Sequence, residues 1–377
     1  MRTRTALSLA TFALLASGTL AGREAHAGSM DPTPERLVLQ PPNLPAGLAG
    51  QTCQSIAANP EIVVQQGGPE NQLPNKFTCK GDNAAFRNYV SELGFAIAPT
   101  AFHPARTTGL GGFALTFDAS YTKINANGTT KDGLAYWKKG TQGDVNADSK
   151  SYPKENATPD SVLQIYSLKA RKGLPFGFEL VGALGFIANS TLWVGGADIR
   201  WSLMEGFRTG PLGYFPDVSL GGGVRTLTGT SKFHLTTVGM DAQISKGITL
   251  ADSAVLTPYV GYQRLIIFGD AIILDATPNT DALQQCGYVG PDPSTGSPVC
   301  RHALSNGAPN NGDFNNNFTF ERVRIHRHRG ILGVNYRYEI LFLASQFLMD
   351  LTPPSAENSD VSSNRQWTLS LEAGVFF

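Results

Sequence analysis

Apolar and polar residues alternate with a period of two along several stretches of this chain. In residues 113–122 the odd positions are apolar, and the even positions are polar or small. The same alternation recurs at residues 176–186, 193–203 and 237–245. Because successive side chains of a strand point to opposite faces, each stretch predicts a strand with one apolar face. Each also approaches the ~9–11 residues that a tilted strand needs to cross a bilayer.

Counting such stretches predicts ten strands, although two features leave the number open. Pro258 weakens the seventh stretch, and the eighth is long enough to contain a break. Twelve strands is the alternative, especially if residues 94–101 also pair. The ten predicted strands span residues 113–123, 162–171, 176–188, 191–203, 218–228, 233–245, 254–268, 319–337, 339–349 and 366–377. The predicted fold is therefore all-β, a transmembrane antiparallel up-and-down β-barrel of about ten strands.

The lengths of the predicted connections support this barrel, because the longest ones fall on one side. They span residues 124–161, 269–318 and 350–365, whereas opposite-side connections such as 172–175 are shorter. Residues 204–217 are the exception. Bacterial barrels have long outer loops and short periplasmic turns. This placement of the long connections on one side therefore favours a barrel over a soluble β-sandwich.

The first 27 residues predict a cleaved export signal. Arg2 and Arg4 give a positive start, residues 6–21 are apolar, and residues 25–27 (AHA) match a signal peptidase site. A membrane anchor is the alternative, but the run is short for a span of ~20 residues. Beyond this segment there is no second long apolar run, and the mean hydropathy is −0.12. Helical membrane spans are therefore not expected.

Residues 28–107 differ in composition from the barrel domain, which is predicted at residues 108–377. They are rich in Pro, Gln and Asn, and residues 83–93 carry apolar side chains at helical spacing. This segment is either a short irregular and helical extension in the periplasm or a plug that enters the barrel. The sequence does not choose between the two.

The four cysteines form two local pairs, Cys53 with Cys79 and Cys286 with Cys300. An even count in an exported chain predicts two disulfides, and local pairing is the most economical of the three connectivities. A zinc site is the competing interpretation, but the sequence has no CxxC motif to support it. The second pair would lie in the largest external loop, where a cross-link restricts mobility.

The chain ends in RQWTLSLEAGVFF, in which every second residue is apolar. The apolar set is Trp367, Leu369, Leu371, Ala373, Val375 and Phe377. This ending resembles the sorting signal of Gram-negative outer-membrane β-barrel proteins. The resemblance implies export to the bacterial outer membrane, recognition by the barrel-assembly machinery, and contact with membrane lipid and lipopolysaccharide. The runs FRNYVSELGFAIAP, ARKGLPFGFELVGALG and DAQISKGI also resemble uncharacterised barrels from myxobacterium-like species, which implies no activity.

Strand parity places nine charged side chains on the lumen face of the barrel. They are Asp118, Lys169, Arg171, Glu179, Asp198, Arg200, Arg225, Asp241 and Glu372. Mixed signs in a narrow barrel favour ion pairs that fill the interior. A packed lumen and a pore therefore both remain open.

His326 and His328 are the conspicuous candidates for chemistry, because side chains two apart on a strand share a face and could bind a metal or shuttle protons. The neighbouring arginines favour a different interpretation, a basic strand or rim patch that meets anionic lipopolysaccharide or anionic solutes. These arginines are Arg322, Arg324, Arg327 and Arg329.

A formal net charge of +0 argues against a nucleic-acid partner. We expect no enzymatic activity, cofactor or metal, and a role as a pore or transport component for small solutes. The alternative is a structural or surface-binding barrel that uses its disulfide-linked external loop. A hydrolase is a third hypothesis, which requires His326 or His328 beside a carboxylate or a serine at the rim.

Overall fold

The barrel consists of ten long antiparallel strands. The computed structural model describes residues 28–39, 80–101, 104–131, 133–143, 156–204, 214–251, 254–275, 288–291, 293–294, 298–300, 317–358 and 360–377. Strands β1 to β10 are Phe113–Lys123, Val162–Gly173, Phe178–Ile187, Trp193–Met204, Asp217–Thr228, Phe233–Ser245, Ala254–Ala271, Val323–Tyr338, Leu341–Asp350 and Trp367–Phe376. Each strand pairs with the next along the chain, and β10 pairs with β1. The sheet is therefore closed.

The remaining elements are short, apart from one helix. Helix α1 is Asn83–Ile97 and helix α2 is Tyr136–Gly140. Single 3₁₀ turns are Pro34–Arg36, Pro175–Gly177 and Pro354–Ala356, and the short strands are Val38–Leu39, Lys80–Gly81, Ile248–Ala251, Leu274–Asp275, Tyr288–Pro291, Pro298–Cys300 and Asn317–Phe318. Among the described residues, no helix is long and apolar enough to cross a membrane.

The predicted alternation is confirmed in the barrel wall. In β1 the even positions from Ala114 to Thr122 are buried inside, while Phe113, Leu115 and Phe117 are exposed on the outside. The count of ten strands is also confirmed. The twelve-strand alternative is wrong because Gly94 belongs to α1, which extends four residues beyond the predicted helix.

Several strand ends differ from the prediction for local reasons. β3 begins at Phe178 because Phe176 lies in a turn with a φ of 62°. β8 begins at Val323, four residues later than predicted. Pro258 lies within β7, opposite the break between β6 and Ile248–Ala251. A proline has no N–H to donate, so an interrupted neighbouring strand accommodates it.

The connections after β1, β7 and β9 are the three longest, and they leave the barrel at one end, the long-loop end. The opposite end, the short-turn end, carries residues 174–177 and 339–340. Both the start of β1 and the end of the chain lie there, because Phe377 N donates to Phe113 O at 2.8 Å. The long connections therefore lie at one end of the barrel and the chain ends at the other, as the loop lengths predict.

Candidate functional site: a lumen filled by the N-terminal segment

The lumen is occupied by a plug, defined here as α1 followed by residues 98–101 and 104–108. At the long-loop end the Phe86 ring stacks on Phe320 with centroids 4.3 Å apart. At the short-turn end Thr108 N donates to Glu179 Oε2 at 2.8 Å. The plug therefore passes through the whole barrel before the chain turns into β1.

The helix in the plug has clear start and stop signals. Asp82 caps it, since its carboxylate accepts from Ala85 N at 2.9 Å. It ends before Pro99, because a proline disfavours the helical conformation of the preceding residue. Most side chains of α1 are buried, including those on its polar side. A helix buried on all sides belongs in a protein interior.

Residues 28–39 lie at the long-loop end. Met30 N donates to Asn189 O at 2.9 Å, and Glu35 pairs with Lys232 at 2.6 Å. Both partners belong to turns at that end, between β3 and β4 and between β5 and β6. The described chain thus starts at the end opposite the start of β1.

The half of the plug nearest the long-loop end has apolar contacts with the wall. Phe86 also meets Phe233 edge-on, with centroids 6.2 Å apart. Gly94 lies directly against Ile267, and a Cβ there would be 2.4 Å from its Cγ2. This half of α1 is therefore packed like a protein core.

The other half of the plug is held by polar side chains of the wall. Its extended backbone lacks helical hydrogen bonds, so its carbonyl oxygens require other donors. The donors come from strands β4, β6, β7, β8 and β9. They are Arg329 and Gln263 on Pro99 O (2.7 and 3.1 Å), Gln243 and Gln346 on Ala101 O (3.1 and 3.0 Å), Arg200 on Pro104 O (3.1 Å) and Ser202 on Ala105 O (2.6 Å).

The structure places all nine charged residues assigned to the lumen face on the inside of the barrel, where most of them pair. Lys169 bridges Asp118 at 2.8 Å, Arg171 bridges Glu372, and Arg225 holds Asp198 through two bonds of 2.6 and 2.7 Å. Of the other three, Glu179 and Arg200 bind the plug backbone, and Asp241 accepts from Gln243 at 2.9 Å. The charged side chains of both signs therefore form ion pairs and hydrogen bonds that occupy the lumen.

Sequence reasoning missed two arginines that hold the plug. Arg327 and Arg329 were assigned to a basic rim patch, but both are buried in the lumen. Their guanidinium carbons lie 4.3 and 4.9 Å from the centroid of the Phe95 ring. Strand parity could have separated them from His326 and His328, which alternate with them and face outward.

Glycines in β5 make room for the lumen carboxylates. A Cβ at Gly223 would lie 1.8 Å from Asp198 Oδ1, and one at Gly221 would lie 2.9 Å from the Asp241 carboxylate. A cavity of about 10 Å³ separates this glycine run from the plug at Pro99, and a second of about 30 Å³ lies nearby. Cavities of this size hold one or a few waters.

Glu92 joins the plug to the first long connection. Its carboxylate accepts from Tyr136 Oη and Trp137 Nε1, both at 2.7 Å, and from Asn125 N at 2.8 Å. Burial raises the pKa of the Glu92 carboxyl, while these hydrogen bonds oppose the rise. The group is fully buried at the barrel rim.

His326 and His328 share the outer face of β8, as their spacing predicts. His328 contacts Tyr262 through Nδ1 and Glu357 Oε1 through Nε2, the latter at 2.6 Å. The carboxylate that the hydrolase hypothesis requires is therefore present. Within the described ranges, no cluster of three or more His, Cys, Asp or Glu side chains could hold a metal ion.

The outer surface of the strands is apolar and carries two aromatic bands. Leu332 and Leu343 are 63% and 60% exposed. The band near the long-loop end includes Tyr121, Tyr166, Phe186, Trp193, Phe347 and Trp367, and the band near the short-turn end includes Phe113, Phe178, Trp201, Tyr336, Tyr338 and Phe377. The apolar residues of the terminal motif, such as Leu369 and Leu371, also face outward.

Two predictions fall on parts of the chain outside the described residues. The signal segment, residues 1–27, is one of them. Cys53, Cys79 and Cys286 also lie outside, and for Cys300 only the backbone strand is described. The disulfides therefore stay a prediction.

No protein-family model matches the sequence, and no curated protein matches it. Among solved structures the chain is similar to Ail, the attachment invasion locus protein of Yersinia pestis, with 8% identity over 71% of this chain and 99% of that chain and a TM-score of 0.24. It is also similar to the outer membrane protein OprG from Pseudomonas aeruginosa (11% identity, 73% and 99% covered, TM-score 0.27) and to the outer membrane protease OmpT from Escherichia coli (8%, 74% and 99%, 0.26). At these TM-scores the likeness carries no argument about activity.

Proposed function

We propose that this protein is an outer-membrane β-barrel with its long-loop end outside the cell. Large apolar side chains cover the outer face of its strands, which water disfavours and lipid accepts. The two aromatic bands fit the two interfaces of a bilayer, where Trp and Tyr are enriched. The short turns fit the periplasmic side.

The terminal strand offers a first test of this location. Deleting Phe377 removes the backbone pair with Phe113 and the ring contact 6.1 Å away, as well as the last residue of the motif. We expect severalfold less folded barrel in the outer-membrane fraction, measured by the gel shift of unboiled samples. Phe377→Tyr, which keeps the backbone and the ring, is the control. Equal yields of the deletion and the wild type would contradict the sorting role.

The function that the geometry supports best is a sealed barrel that presents a binding surface. The observation that carries it is the contact of α1 with all three long connections. Glu92 binds the first, Arg87 pairs with Glu321 of the second at 2.6 Å, and Asn88 donates to Ser362 of the third at 2.8 Å. The plug thus joins the loops into one surface at the outer end.

If the lumen is sealed, the protein should not conduct ions across a membrane. Full-length barrel reconstituted in a planar bilayer should give no discrete conductance steps at moderate voltages, because the plug lies in the lumen and the two cavities beside it, of about 10 and 30 Å³, are small. A chain that keeps the signal segment but lacks residues 28–107 serves as the control and should conduct. Steady open channels in the full-length protein would overturn the sealed barrel.

A pore for small solutes is the second candidate, favoured by the polar contacts of residues 99–101 and 104–105. Their carbonyl oxygens bind side chains that water can replace, unlike the apolar packing around Phe86. The same bilayer experiment separates the candidates. Brief openings of the full-length protein that a voltage or a solute induces would favour a gated pore.

A further inference from the structure

The outer face of the β7–β8 pair is apolar towards one end of the barrel and includes basic residues towards the other. Towards the short-turn end it is apolar, with Val260, Tyr262, Leu332, Val334 and Tyr336. Towards the long-loop end it carries Ile266 and Phe268 together with four basic residues, Arg264, Arg324, His326 and His328, here named the basic quartet. The change falls at Tyr262, and an aromatic residue of this kind marks the edge of the hydrocarbon layer.

Strand register brings the quartet together. Arg264 is paired directly with His328, and Arg324 is paired with Phe268 four residues further along β7. Paired outward side chains on adjacent strands have Cβ atoms about 4.5–5.5 Å apart. The four groups therefore lie close together on the outer face just beyond the aromatic edge, with Ile266 and Phe268 of β7 opposite His326 and Arg324.

The two arginines of the quartet have no ion-pair partner in the described parts of the chain. Arg324 lies over the Phe268 ring at 5.8 Å, which leaves its N–H groups free for an anion. The nearby carboxylates are engaged elsewhere, since Glu357 binds His328 and Asp270 pairs with Arg322 at 3.1 Å. Two uncompensated guanidinium groups at a lipid boundary favour an anionic ligand.

We propose that Arg264 and Arg324 bind the phosphate group of an outer-leaflet lipid, with His326 and His328 lining the same site. Lipid phosphates lie directly outside the hydrocarbon layer, which is the level of the quartet. A guanidinium binds phosphate oxygens through two parallel N–H bonds. Two guanidinium charges favour a net anionic phosphate monoester over a zwitterionic headgroup, whose phosphate is neutralised by its own cation. This inference rests on the proposed outer-membrane placement.

The test uses full-length barrel in nonionic detergent and short-chain phosphatidic acid as the probe, followed by native mass spectrometry. Arg264→Gln with Arg324→Gln should weaken binding at least tenfold, whereas Arg337→Gln, at the short-turn end, should leave it unchanged. Short-chain phosphatidylcholine should bind weakly to the wild type. Arg264 and Arg324 face outward and Arg337 is exposed at the short-turn end, and the gel shift of unboiled samples verifies that each variant is folded.

Two outcomes would overturn the lipid site. Equal binding of phosphatidic acid by the double variant and the wild type would show that the arginines are not its ligands. Binding of inorganic phosphate but not of phosphatidic acid would indicate a site for a free anion. If the wild type fails to insert into phospholipid vesicles, the outer-membrane proposal itself is wrong.

Discussion

Replacing Arg327 by alanine should destabilise the barrel by about 3–5 kcal/mol, because it leaves a buried carboxylate without its cation. The Arg327 side chain is fully buried and bridges Asp350, with Nε 3.2 Å from Oδ1. It also donates to Gln366 at 2.5 Å and to Ser91 O at 3.0 Å. One side chain thus ties β8, β9, the start of β10 and the plug together.

The measurement is urea unfolding of barrel refolded in vesicles, followed by tryptophan fluorescence. Arg322→Ala is the matched control, because its pair with Asp270 is exposed and should contribute less than about 1 kcal/mol. The double variant Arg327→Met with Asp350→Asn should lose less than the sum of its single changes, since neither partner keeps an unpaired charge. A loss from Arg327→Ala no larger than that of the control would contradict the account.

The barrel could be predicted from the sequence because its two faces meet different solvents. A strand such as β1 has to place apolar side chains outside and polar ones inside. Its sequence therefore alternates with a period of two, and this alternation predicts the strand. Strand ends were less predictable. Phe176 continues the apolar pattern of β3 but lies in the turn before it, where left-handed geometry and Gly177 determine the backbone.

The plug could not be derived in the same way. Residues 98–101 and 104–108 have no apolar periodicity, and their backbone carbonyl oxygens accept hydrogen bonds from side chains far away in the sequence, as Pro99 O does from Arg329. The role of the glycines in β5 could not be predicted from the sequence either. Gly223 is needed because a side chain there would clash with Asp198 on the neighbouring strand. The lumen-facing position of Arg327 and Arg329 could have been predicted, because they alternate along β8 with the outward histidines.

Glu92→Ala should release the first long connection from the plug. The buried Tyr136 and Trp137 donors and the part-buried Asn125 N–H would lose their acceptor. Each unsatisfied donor costs about 1–3 kcal/mol, so we expect a loss of about 3 kcal/mol or more. Urea unfolding measures the loss, and limited proteolysis should show faster cleavage within residues 124–143. Asp360→Ala, which removes an exposed partner of Arg87, is the control with a small expected effect.

Glu92→Gln separates the hydrogen bonds from the charge. Its amide oxygen can accept from Asn125 and Trp137, and its amide group can donate to the Tyr136 oxygen, so the loss at neutral pH should be small. Burial raises the pKa of Glu92 in the folded state above the unfolded value of about 4.3. Between these two values the folded chain holds more protons, so its unfolding free energy should fall as the pH rises through the window. The wild type should therefore lose stability relative to Glu92→Gln as the pH rises above about 4.3, and parallel profiles would show that Glu92 remains ionised when folded.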